Sequence, residues 1–216
     1  MKTGTTTVTV SGKEEYTGSV QKTFQILPAS MEAVAVAAVE DLTYTGQPLK
    51  PELTVTFGSD AVPVVKEQDY TVAYEKNTAA GTADVTLTAA ADGNFTGTKK
   101  VTFKILPVAF SDDTVTCEMK DKLEYTGEPV TQETLKLTFG GQELVKDTDY
   151  TVTYSNNLHV GKAAMTITGQ GNFSGSIEKS FEIVVYGSRP ALTDGNGSIL
   201  LAKKNISIPE VRSHRQ

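Results

Sequence analysis

"GNFTGTKKVTFKILP", residues 93–107, is written again as "GNFSGSIEKSFEIVV" at 171–185 and, more loosely, as "EEYTGSVQKTFQILP" at 14–28. Each copy passes a glycine and then enters a run in which every second residue is apolar. In the first copy Val101, Phe103 and Ile105 share one face, and Thr102 and Lys104 take the other. A period of two is that of a β-strand with one buried and one wet face. The phrase reads as a tight turn followed by a closing strand. Its Phe and second Ile read as the side chains that fill a core.

The rest of the chain repeats with it. Tyr44-Thr45-Gly46 returns as Tyr125-Thr126-Gly127, 81 positions on, and "DYTVAY" at 69–74 returns as "DYTVTY" at 149–154, 80 positions on. Phe24, Phe103 and Phe181 follow one another at intervals of 79 and 78. The opening "TGTTTVTVSG" at 3–12 matches "VGKAAMTITG" at 160–169, with Gly4 on Gly161, Val8 on Met165 and Val10 on Ile167. These offsets divide the chain into the second half of a repeat (1–28), two whole repeats (29–107 and 108–185) and a non-repeat tail (186–216). A chain that opens inside a repeat is expected to be part of something longer. The tail is expected either to be flexible, given "TDGNGS" at 193–198, or to pair with the half-repeat through "SILLA" or "NISIP".

Alternation continues within each repeat. Val85 and Leu87 alternate with Thr86 and Thr88; Tyr70, Val72 and Tyr74 oppose Thr71, Ala73 and Glu75. Leu53, Val55 and Phe57 share a face, as do Leu135, Leu137 and Phe139. Between these runs stand turn formers. Gly93-Asn94 and Gly171-Asn172 suit positive φ, Gly58-Ser59-Asp60 and Gly140-Gly141 suit hairpin reversals, and Asn77 and Asn157 suit a left-handed residue after a strand. No helical period persists beyond about two turns. Short strands at regular spacing in about 80 residues predict an all-β fold: tandem immunoglobulin-like antiparallel β-sandwiches.

The joints are short. "KILPVAF" and "QILPAS" run from one repeat into the next with a single proline, Pro107 or Pro28, between them. Proline fixes φ and restricts its predecessor, so a stiff joint and a rod of sandwiches are expected.

Composition narrows the function. The 216 residues carry a net charge of −6, with 15 basic and 24 acidic residues in 1–185. Phosphate backbones need clustered Lys and Arg, so no nucleic-acid partner is expected. No apolar run reaches the length of a membrane span, and no membrane insertion is expected. Met1 is followed by Lys-Thr-Gly-Thr-Thr-Thr, without the apolar core of a signal peptide. Both a cytosolic protein and one whose signal lies elsewhere fit that start. The lone Cys117 allows no internal disulfide, which suits a reduced compartment and a cysteine-poor bacterial surface equally.

Chemistry-bearing residues are few. A nucleophile needs a base in reach; the possible pieces are Cys117, His159 and His214. Cys117 lies in phase with Val115 and Met119 and aligns with Val36, so it reads as a small core residue. His159 reads as a solvated turn residue. The acidic pairs Asp147/Asp149, Glu67/Asp69 and Asp112/Asp113 fit no calcium-loop pattern, and Asp69 and Asp149 stand where Asp caps a turn through its own backbone. A Lys–Asn isopeptide bond is not expected either: residues 98–106 and 176–185 lack Asn, and 33–40 lack Lys. The sequons at Asn94 and Asn172 fall in the turn motif, which already accounts for both asparagines. Tyr44 and Tyr125 recur in both full repeats, which suits a structural role better than sugar stacking. No catalytic, cofactor-binding or metal-ligating residue is assigned, and no cofactor is expected.

Taken as a set, the Tyr-Thr-Gly, "DYTVxY", "VTLT" or "MTIT", "GNF[ST]G" and final "FxI" strings of residues 1–185 resemble the tandem immunoglobulin-like repeats of large bacterial cell-surface and adhesin-like proteins. The resemblance implies export to the cell surface, a spacer or adhesive role, and no intrinsic catalysis. It also implies neighbouring repeats of the same chain as the first partners. Two alternatives stand beside the spacer: a module binding a glycan or a host protein, and accessory domains of a secreted enzyme.

Overall fold

Threonine and valine branch at Cβ and favour pleated, extended backbone. In the computed structural model, which describes residues 3–186, the chain is all-β. Residues 1–28 supply β1 (Gly4–Ser11) and β2 (Ser19–Ile26). Residues 29–107 supply β3 (Ala29–Ser30), β4 (Ala35–Val36), β5 (Leu42–Thr43), β6 (Val55–Phe57), β7 (Val62–Pro63), β8 (Tyr70–Glu75), β9 (Gly81–Ala89), β10 (Phe95–Thr96) and β11 (Thr98–Leu106). Residues 108–185 supply β12 (Val108–Ala109), β13 (Thr116–Glu118), β14 (Lys122–Glu124), β15 (Lys136–Phe139), β16 (Gln142–Glu143), β17 (Tyr150–Ser155), β18 (Gly161–Gly169), β19 (Phe173–Ser174) and β20 (Ser176–Val184). A single 3-10 turn, Met31–Ala33, is the only helical piece among the described residues. His214 and the "SILLA" and "NISIP" stretches lie outside the described residues.

The two longer segments share one topology. A four-stranded sheet runs β5-β11-β9-β8 in the first and β14-β20-β18-β17 in the second. A three-stranded sheet runs β4-β6-β7 and β13-β15-β16, and a short pair forms from β10 with β3 and β19 with β12. Val55 of the smaller sheet packs in one core with Val85, Leu87, Phe103 and Ile105 of the larger. Leu137 does the same with Met165, Ile167 and Ile177. Each pair of sheets is therefore sandwich-like, with alternate side chains turned inward as the period of two requires.

Several expectations change in detail. The sheets are mixed rather than purely antiparallel: β5 runs parallel to β11, β14 to β20, β3 to β10 and β12 to β19. Parallel neighbours need long crossovers, and here the intervening strands of the same segment provide them. The chain leaves one sheet after β4 and joins the edge of the other at β5.

The repeated phrase does more than close a sheet. Phe95-Thr96 and Phe173-Ser174 form short strands of their own, which pair with the residues just beyond Pro28 and Pro107. Phe103 and Phe181 fill cores as expected, at 3% and 2% exposure, but Phe24 in the third copy is 50% exposed. Residues 1–28 form only a two-stranded hairpin, so nothing described lies over that ring.

Left-handed backbone also sits one residue from where the turn formers place it. Lys76 and Asn156 carry positive φ rather than Asn77 and Asn157. The Asn77 and Asn157 side chains have another task. Asn77 Nδ2 donates to Leu49 O at 2.7 Å while Leu49 N donates to Asn77 O at 2.8 Å. Asn157 and Val130 make the same pair of bonds, at 3.0 and 2.8 Å. Near Asn94 the positive φ is at Asp92, whereas Gly171 carries it before Asn172. Gly140 and Gly141 both have positive φ, the backbone a two-residue hairpin between β15 and β16 requires.

Candidate functional site

The chemistry of greatest interest lies where one segment meets the next. It starts from a glycine. Gly4, Gly81 and Gly161 open β1, β9 and β18 with φ of 127°, 137° and 129°, a region L side chains rarely adopt. At Gly4 and Gly81 the residue just before the glycine donates its N–H to an asparagine of the next segment. Ala80 N donates to Asn172 Oδ1 at 2.8 Å, and Thr3 N donates to Asn94 Oδ1 at 3.1 Å. Thr3 Oγ1 adds a bond to Gly93 O at 3.1 Å.

The same asparagines hold the incoming chain with their backbone. Val108 N, the first N–H after Pro107, donates to Asn172 O at 3.0 Å, and Ala29 N, the first after Pro28, donates to Asn94 O at 2.9 Å. Each asparagine thus grips two pieces of chain: its amide oxygen takes the preceding segment's end, and its carbonyl takes the residue that leaves the proline. Both sequon asparagines thus make junction contacts through Oδ1, which turn geometry alone does not explain.

An aromatic cluster fills the rest of the 29–107/108–185 junction. Tyr44, at the end of β5, lies 6.0 Å from Phe139 with rings 20° apart, and 5.7 Å from Phe173 at 83°. Phe173 also meets Phe110 at 5.4 Å and Phe139 at 5.3 Å. Stacked and edge-on aromatic pairs each add about 0.5–1.5 kcal/mol beyond the area they bury. Tyr44 N donates to Leu106 O at 2.9 Å, so the tyrosine is fixed to the strand that leads into the junction. Gln47 N donates to Thr45 Oγ1 at 3.3 Å, which shapes the Tyr-Thr-Gly turn.

Tyr125 holds the equivalent place at the far end of 108–185 and is 40% exposed. Leu158, His159 and Val160 are exposed beside the equivalent glycine, Gly161. His159 is thus a surface turn residue.

The remaining sequence candidates are spread apart. Cys117 is half-buried on β13, paired with Leu137. Burial raises its thiol pKa; the nearby Lys179 opposes that and Asp112 reinforces it. A thiol held protonated is a poor nucleophile. Asp112 takes an ion pair from Lys179 at 2.5 Å. Asp69 and Asp149 each accept a backbone bond, from Val65 N and Val145 N, both at 2.8 Å, so they cap turns as read. Glu67 and Asp147 carry the left-handed backbone of those same turns. Among the described residues no three His, Cys, Asp or Glu side chains gather as metal ligands. Lys99 Nζ, on β11, donates to Glu32 O and Val34 O at 3.0 and 2.7 Å and braces the 3-10 turn.

Sequence reading missed the junction role of Asn94 and Asn172, and it missed the Tyr44 aromatic cluster. No local signal marked the first: each asparagine grips the residue before a strand-opening glycine, 92 or 91 positions earlier in the chain. No protein-family model matches the chain, and no curated protein matches it at a significant level.

Proposed function

We propose that this chain is a non-catalytic spacer segment of a bacterial cell-surface protein. Tandem immunoglobulin-like sandwiches, joined without linkers, would hold another domain at a set distance from the cell. The observation that carries the reading is the double grip of Asn172 on Ala80 N and Val108 N, at 2.8 and 3.0 Å, next to Pro107. A joint with a proline, one side-chain and one backbone bond to Asn172 and a half-buried tyrosine packed on two phenylalanines resists bending, and resistance to bending is what a stalk supplies. The net charge of −6 keeps such a stalk soluble and away from anionic surfaces.

Small-angle scattering tests this reading. The full chain is expected to give an elongated particle, with each 80-residue unit adding roughly 35–40 Å from strands of seven to nine residues. A double variant, Asn172→Ala with Tyr44→Ala, is expected to broaden the distance distribution. A wild-type chain that scatters as two freely jointed beads would sink the spacer.

The alternative of a glycan-binding module has one observation in its favour, the 40% exposure of the Tyr125 ring. Saturable retention on a glycan array that Tyr125→Ala abolishes would establish it. A chain that stays elongated and binds no glycan supports the spacer.

A further inference from the structure

β8 and β17 are edge strands of the two four-stranded sheets, and each turns two tyrosines toward a core, Tyr70 and Tyr74 on β8 and Tyr150 and Tyr154 on β17. The phenols meet different partners in the two segments. In 29–107 the Tyr74 hydroxyl donates to Pro51 O at 2.6 Å. Proline has no N–H, so only its carbonyl is on offer. In 108–185 the matching position is Gln132, two residues after Val130 as Pro51 is two after Leu49. Gln132 has an N–H, and it donates to Tyr154 Oη at 3.1 Å. The direction of the bond is reversed. Tyr154 accepts, and its own O–H donates to no described residue.

The acid near these rings moves as well. Burial raises the hydroxyl pKa of Tyr70 and of Tyr74, and Glu52 is the next cause in both, which places a carboxylate near that pair. Its counterpart is Glu133, but one extra residue, Thr134, stands before Leu135, the counterpart of Leu53. Glu133 Oε1 takes the Thr131 hydroxyl at 2.5 Å. For Tyr150 burial is again the first cause, followed by Glu143, Cys117, Tyr154 and Asp147, and Glu133 is not among them. Glu143 is itself paired with Lys136 at 3.4 Å. Between β17 and residues 131–135 lies a cleft of about 310 Å³, with Glu133, Leu135, Lys146, Tyr150, Val152 and Tyr154 in its walls. Tyr150 is 4% exposed and its hydroxyl bonds no described residue; no enclosed polar atom of the described side chains lacks a partner, so that hydroxyl reaches the surface. Lys146 makes no ion pair with a described residue. Two phenols and an ammonium thus stand ready to donate where the first segment keeps a carboxylate of its own.

We propose that the cleft beside β17 is a binding site for a small hydroxylated carboxylate, of the chemical class of the free sugar acids. The ligand's carboxylate lies against Lys146 and the hydroxyls of Tyr150 and Tyr154, the place that Glu52 serves in 29–107. Bonds from an ammonium or a phenol to an ionised carboxylate are charge-assisted and stronger than neutral ones. Glu133 keeps a second oxygen, an acceptor for a ligand hydroxyl. Leu135 and Val152 give the apolar wall along which the C–H groups of a ring rest. The volume is at the small end of ligand sites, which suits one sugar ring. Every group of the site belongs to residues 131–154, so it is complete within one sandwich. Tyr125 is not in its walls, and the proposal does not depend on the spacer reading.

The test titrates D-glucuronate into the isotope-labelled full chain and follows backbone amide shifts by NMR. Saturable shifts centred on residues 131–135 and 146–154 are expected, with a dissociation constant on the order of 1 mM. D-Glucose, the same ring without the charge, is expected to give no saturable shift up to about 20 mM. Lys146→Ala and Tyr154→Phe are each expected to weaken glucuronate binding at least about fivefold. Lys146 is exposed, so its variant keeps the fold, and thermal midpoints check both. Tyr125→Ala is expected to leave the binding unchanged. No saturable shift at about 20 mM glucuronate overturns the proposal. Equal binding of glucose overturns it too, because the carboxylate would then go unread. Binding that survives Lys146→Ala and is lost in Tyr125→Ala also overturns it, in favour of the Tyr125 face.

Discussion

The side-chain oxygen of Asn172 accepts the backbone N–H of Ala80 at 2.8 Å, across the junction between residues 29–107 and 108–185. The bond asks only for an acceptor at that point. Asn172→Asp keeps an acceptor and should hold the junction, while Asn172→Ala leaves a half-buried N–H unpaired. The second change is expected to cost about 1 kcal/mol. Urea unfolding measures that cost, and hydrogen exchange reports on the Ala80 amide, which should lose protection in the alanine variant alone. Equal protection in both variants would show that the bond contributes nothing to the joint.

Tyr44 and Tyr125 occupy matching places in sequence but different surroundings. Tyr44 stacks on Phe139 and meets Phe173 edge-on, whereas Tyr125 is 40% exposed. Tyr44→Ala is expected to destabilise by about 2 kcal/mol, below the 3–5 kcal/mol of a fully buried aromatic. Tyr125→Ala is expected to stay within about 0.5 kcal/mol, as surface changes do. Thermal melts of the two variants side by side decide this, and equal losses would contradict the junction contact.

Strand faces were legible in the sequence because alternation is a local property. Val85, Leu87, Phe103 and Ile105 all turn inward as their spacing dictates. Phe24 shows the limit. Its phrase is the same as that of Phe103, but burial depends on what covers the ring, and no local pattern states that. Asn94 and Asn172 were legible as turn residues and illegible as junction residues, because their partners stand 91 and 92 positions earlier. The parallel edge strands β5 and β14 are two and three residues long, too short for periodicity to reveal.

Phe103, Phe181 and Phe24 offer a direct contrast within one phrase. Phe103→Ala and Phe181→Ala should each cost about 3–5 kcal/mol, since both rings are nearly enclosed. Phe24→Ala should cost less than about 1 kcal/mol, because half of its ring already faces water. Chemical denaturation of the three variants gives the comparison. A loss at Phe24 as large as at Phe103 would mean the hairpin face is covered in solution.

Asn77 closes a two-bond ring with Leu49, and it is only 9% exposed. Asn77→Asp replaces the donating amide with an acceptor facing Leu49 O, so it should destabilise more than Asn77→Ala does. The alanine variant is expected to lose about 1–3 kcal/mol. Leu49 amide exchange, measured by NMR, should accelerate in both.

Alkaline pH should weaken the fold, and the sign follows from the tyrosines. Burial raises the hydroxyl pKa of Tyr150, with Glu143 the next cause, and burial raises that of Tyr70, with Glu52 and Glu67 adding to it. A folded-state pKa above the unfolded one means that the folded chain holds its proton longer. The stabilisation is fully present below the unfolded value near pH 10 and falls as pH rises through the folded value. Cys117, raised by burial, begins the same decline from about pH 9. Tyr150→Phe keeps the ring and removes the titrating group. Its melting midpoint should match that of the wild type near pH 7 and fall less steeply above pH 10, as read by circular dichroism melts across that range. An alkaline limb unchanged by Tyr150→Phe would mean the hydroxyl reaches water in the folded protein.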